Sequence, residues 1–180
     1  MGRPFVKENG MRLCSVAIAA LLLASPAAAA PLEDATCLVG RLSPADVETI
    51  VGTTTAGGST ETLARLRGPL EACSAGNWSR DRQADAAAYA IGLVTRDTLR
   101  ERLGASGVDA AALDRWFARQ SDAFRTTAFV SMSDADMDAA FATLVGHEVS
   151  AEAMERNGRT IGGYVGALVI MERIGRGLGL

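Results

Sequence analysis

From Glu33 onward, apolar residues recur three, four and seven positions apart, and runs of β-branched residues with alternating polarity are missing. The pattern predicts an all-α fold, a single-domain bundle of about six to seven helices. A first helix is expected over Glu33 to Arg41, carrying Cys37. Ser43 caps the next, with Pro44 at its first position and an end near Gly52; Thr53 to Ser59 reads as a loop. Another helix should run from Thr60 to about Ala75, kinked or restarted at Gly68-Pro69, with Cys73 in its last turn.

Ser79 caps a long helix to about Leu103, which places Tyr89, Leu93, Leu99 and Leu103 near one face before Gly104 to Gly107 end it. The clearest amphipathic stripe follows: Leu113, Phe117, Phe124 and Ala128, with Trp116 beside it, predict one helix from Asp109 to Val130. Ser133 caps a helix through Leu144. Ser150 opens a last one to about Ile174, with Met154, Ile161, Val165 and Leu168 on one side and a candidate break at Asn157-Gly158. The similarity of Ser43-Pro44-Ala45-Asp46-Val47 to Ser133-Asp134-Ala135-Asp136-Met137 does not extend beyond the caps, so it marks two helix starts, not a repeat.

The amino end obeys a different rule. Arg12 supplies a basic start, Ser15 to Leu23 an apolar run, and Ala28-Ala29-Ala30 a small-residue cleavage site before Pro31, the layout of a secretory signal peptide. The run is too short to span a bilayer, which needs roughly 20 residues. Met11 reads as the natural start, because Glu8 and Asn9 precede the signal awkwardly. The expected product is a periplasmic or secreted bacterial protein whose mature domain is residues 31–180, without a transmembrane anchor.

Composition narrows the partners. Residues 1–30 hold three of the 18 basic residues and one of the 21 acidic ones, so the mature chain carries 15 arginines, 20 carboxylates and a formal charge of −5. The arginines are interleaved with acids and form no patch for a phosphate backbone, which argues against nucleic acid. Cys14 sits at the start of the apolar run, where it cannot be a lipidated cysteine, leaving Cys37 and Cys73. An even pair in an oxidising compartment predicts a structural disulfide.

Chemistry-bearing motifs are incomplete. His147 is the one histidine of the chain; His147-Glu148 begins a His-Glu-x-x-His zinc motif, but Ala151 occupies the second imidazole position. Asp134, Asp136 and Asp138 resemble the opening of a calcium loop that lacks its glycine and its closing glutamate, at Ala139 and Val145. Gly52 to Ser59 has phosphate-loop spacing with Gly58 in place of lysine, and Met132, Met137, Met154 and Met171 are too dispersed for a copper cluster. Asn77-Trp78-Ser79 is a glycosylation sequon of the kind chance supplies. Gly162, Gly163 and Gly166 would let the last helix approach a neighbour closely.

No cofactor or metal is implied, and no catalytic set is complete. The expectation is a non-enzymatic module that binds another envelope protein or a small ligand through grooves between helices. One alternative is a hydrolase or lyase resting on carboxylates and arginines, with His147 and Glu148 in its cleft. A second is a structural envelope protein with an exposed apolar patch to which Trp78, Trp116 and Phe129 contribute.

Overall fold

The computed structural model describes residues 30–56, 60–129 and 131–178. The signal-peptide reading therefore falls outside the described residues. Among those described there are eight helices and no strand: α1 (Ala30–Val39), α2 (Pro44–Thr55), α3 (Thr60–Ser74), α4 (Arg80–Ala105), α5 (Ala110–Ala118), α6 (Asp122–Thr127), α7 (Asp134–Leu144) and α8 (Ala151–Leu178). None is long and apolar enough to cross a membrane.

The capping chemistry works as its residue types require. Ser43 accepts from the Asp46 amide while Asp46 accepts from the Ser43 amide, a reciprocal cap that Pro44 preorganises. Ser79, Ser121 and Ser133 cap α4, α6 and α7 through their hydroxyls. The aspartates at the start of α7 serve that cap, since the Ser133 hydroxyl donates to Asp136 at 2.7 Å. A single bridge between Val145 and Val149 closes the turn from α7 into α8.

The helix boundaries differ from expectation at four places. The segment read as one helix from Asp109 to Val130 is two, because Arg119 ends α5 and Ser121 starts α6. The break sets off α6, a helix of six residues, beside seven longer ones among the described residues, in keeping with the six or seven expected, and it turns Phe117 and Phe124 towards each other, their rings 6.4 Å apart. Thr53 to Thr55, read as loop, are helical: the Thr53 hydroxyl returns to the Thr49 carbonyl and that of Thr55 to the Val51 carbonyl, at 2.7 and 2.8 Å. Finally, α3 continues through Pro69 without the restart that was one of the two expectations there, and α8 continues through Asn157-Gly158.

The two long helices, α4 and α8, form the axis of the bundle. Gly92 makes their approach possible, since a Cβ there would stand 2.7 Å from Met171 Cγ. Around this axis α2, α3, α5, α6 and α7 bury Ile50, Leu66, Leu113, Phe124 and Leu144. A smaller cluster joins Ala35 and Leu38 of α1 to Ala86 and Ala90 of α4.

The Cys37–Cys73 disulfide ties α1 to the end of α3 across 36 residues, with Cα atoms 6.1 Å apart. Beside it, Asp34 takes a two-pronged bond from Arg82 at 2.6 and 2.9 Å, and the guanidinium lies over the Trp78 ring. Trp116 is fully buried, so the surface patch that would include it does not exist: its indole donates to Thr143 and its ring meets Phe124 edge-on at 5.4 Å. The exposed large apolar side chains among the described residues are Leu32, Leu63 and Phe129.

Candidate functional site

His147 stands exposed in the turn between Val145 and Val149, beside Gly146 at φ +86°. Glu148 is paired with Arg119 of the segment following α5. The two neighbours in sequence are therefore not brought to a shared cleft. Among the described residues, no three of His, Cys, Asp and Glu are grouped so as to hold a metal ion.

Both principal cavities instead flank α8. The first is a polar cleft of about 540 Å³ between α4, α5 and α8. Arg96 and Arg100, one turn apart on α4, share a face with Tyr89 and project beside Asp114 of α5 and Glu172 and Arg176 of α8. Arg100 donates to Asp114 at 2.5 Å and to the Tyr164 hydroxyl at 2.9 Å, while that hydroxyl donates to Asp114 at 2.7 Å. Burial, reinforced by the bond to Asp114, pushes the phenol up to about 12, so Tyr164 acts as a neutral donor. At the cleft mouth Arg125 and Arg176 both hold Glu172 and Asp122. The Arg176 and Arg125 bonds keep the Asp122 carboxyl below its ordinary range.

The second cavity, also about 540 Å³, is an apolar groove whose floor is α8. Gly162, Gly163, Gly166, Val169 and Ile170 form the floor; Thr54 and Thr55 of α2 and Ala128-Phe129 contribute to its lining. The three glycines are not equivalent. A Cβ on Gly163 would collide with Thr55 Cγ2 at 2.6 Å, so this glycine serves the packing of α2 on α8. Gly162 and Gly166 face open space, with nothing within 4 Å of an added Cβ.

Positions 159, 162, 166, 169 and 173 along this floor, of which Val169 is itself buried in the core, are spaced three, four, three and four, the spacing of a seam between two helices. The seam begins and ends on an exposed arginine, Arg159 and Arg173, separated by about 21 Å of helix. Neither is paired with a carboxylate among the described residues. Phe129 stands at the groove about half exposed and in the left-handed region at φ +65°, a conformation that costs a bulky side chain about 1–3 kcal/mol. A smaller cavity lined by Ala88, Ile91 and Ile174 shares Ile170 and Arg173, which extends the apolar surface towards α4.

Sequence reasoning singled out the three glycines and missed the arginines that bracket them. The missed signal was the three-four spacing from Arg159 to Arg173. It was masked by the stronger stripe of Ile161, Val165 and Leu168 on the core side of the same helix. No family model, curated protein or solved structure matches the chain.

Proposed function

We propose that the protein is an exported, periplasmic binding module without catalytic activity, which receives an acidic amphipathic helix of another envelope protein in the groove on α8. The observation that carries this reading is the open three-four seam floored by Gly162 and Gly166 and bracketed by Arg159 and Arg173. A glycine floor lets a guest backbone approach closely, and an apolar stripe on the guest would fill the groove. Charge selects the guest: two carboxylates about 21 Å apart on one helical face would meet both arginines. A second copy of α8 would bring two more arginines along its own seam. The disulfide supports an oxidising compartment.

The catalytic alternative has less support, since His147 and Glu148 stand apart from the polar cleft and its carboxylates are tied to arginines. A structural envelope role needs a broad apolar patch, whereas Leu32, Leu63 and Phe129 lie on separate segments. The test is fluorescence anisotropy with two model helices of about 18 residues. Both carry one leucine stripe; one ends in glutamates and the other in lysines at the positions facing Arg159 and Arg173. The acidic peptide should bind and weaken as salt rises from about 50 to 300 mM. Equal binding of the basic peptide would overturn the reading.

A further inference from the structure

Three arginines, Arg96, Arg100 and Arg176, and two carboxylates, Asp114 and Glu172, line the polar cleft on the other side of α8. Within the lining, Arg100 pairs with Asp114 and Arg176 with Glu172. Arg96 differs. Its side chain is only 28% exposed, yet among the described residues its ion-pair partner is Asp97, its chain neighbour, which is 61% exposed and not part of the lining. Both Nε and Nη2 of Arg96 converge on one oxygen of Asp97, each at 2.7 Å. A guanidinium has five N–H donors in a planar fork, so donors are left for an oxyanion inside the cleft. Phe117, Leu168 and Met171 supply an apolar surface beside this charge, and Tyr89 lies on the same face of α4.

We infer that the cleft between α4, α5 and α8 binds a small organic monoanion, with its carboxylate on Arg96 and its apolar body against Phe117, Leu168 and Met171. The cleft volume of about 540 Å³ lies within the range of small-molecule sites. One negative charge matches the one arginine in excess among the lining residues; the second charge of a dianion would face Asp114 and Glu172. The Tyr164–Asp114–Arg100 triangle keeps Arg100 in place at the cleft, so the guest meets a preformed surface. This site is independent of the groove and of any partner helix.

Isothermal titration of the disulfide-bonded protein with octanoate, 1-octanol and octylammonium tests the assignment. Octanoate should bind, octanol at least about tenfold more weakly, and octylammonium not at all, because a hydrogen bond between two charged groups is stronger than one to a neutral hydroxyl and a cation would be repelled by Arg96. Arg96→Gln should lower octanoate affinity by at least about tenfold, while Arg173→Gln leaves it unchanged. In the unmutated protein, the Nε–H resonance of Arg96 should move on addition of octanoate, which decides the matter even if Arg96→Gln folds poorly. Equal affinity for octanoate and octanol, absence of octanoate binding at about 1 mM, or loss of affinity in Arg173→Gln with Arg96→Gln unaffected would each overturn it.

Discussion

Tyr164 shows how a single buried group reports on its surroundings. Its phenol is desolvated and bonded to a carboxylate, so the neutral form is favoured and the pKa rises from 10.0 to about 12. The folded state consequently holds this proton more tightly than the unfolded chain. The stability it contributes is full below pH 10 and disappears as pH climbs towards about 12. In an ultraviolet titration, Tyr164→Phe should remove the ionisation near pH 12; removal of a step near pH 10 instead would contradict the buried triangle. Asp122 behaves in the opposite sense. Held low by Arg176 and then Arg125, it supports the fold above its ordinary 3.8 and loses that contribution as pH falls. Asp122→Asn should therefore flatten the acid limb of the stability curve, measured by urea melts at several pH values.

At the scale of elements, caps and stripes were legible in the sequence because they depend on neighbours within one turn. Ser43, Ser79 and Ser133 start helices as their spacing indicated. The α5–α6 break was not, since a stripe of Leu113, Phe117, Phe124 and Ala128 suits one straight helix as well as two in which Phe124 meets both Phe117 and Trp116. The glycines of α8 make the same point: their spacing indicates close approach, yet which of them touches a neighbour depends on where α2 ends. Gly163→Ala should destabilise by about 1–3 kcal/mol through collision with Thr55. Gly166→Ala, facing open space inside a helix, should stabilise by about 0.5–1 kcal/mol. Denaturant melts of both variants check the pair, and the reverse signs, with Gly163→Ala stabilising and Gly166→Ala destabilising, would contradict the assignment of contact and floor.

The whole molecule is an axis of two long helices with a clip at one end. Cys37 and Cys73 were readable from count and compartment alone, and their bond ties the small α1 cluster to the rest. Replacing both by serine should lower the unfolding free energy by about 3–4 kcal/mol, from the 36-residue loop they close. A loss under about 1 kcal/mol in a urea melt would mean that the Asp34–Arg82 bond and α1 packing already hold that end. Neither α8 cavity could be read from the sequence. Each gathers residues from elements far apart in the chain, as Thr55 with Gly163 or Arg96 with Phe117 and Met171.

The groove on α8 is the proposed helix receptor. Its most direct test is a backbone amide NMR titration of the protein with the acidic amphipathic peptide. The amides of Gly162, Gly166 and Phe129 should shift together and saturably, while those of Gly76, Gly104 and Gly107, in turns and helix ends elsewhere, stay in place. Shifts confined to other faces of the bundle, or no shift at these three residues at saturating peptide, would contradict the claim that α8 is a docking surface.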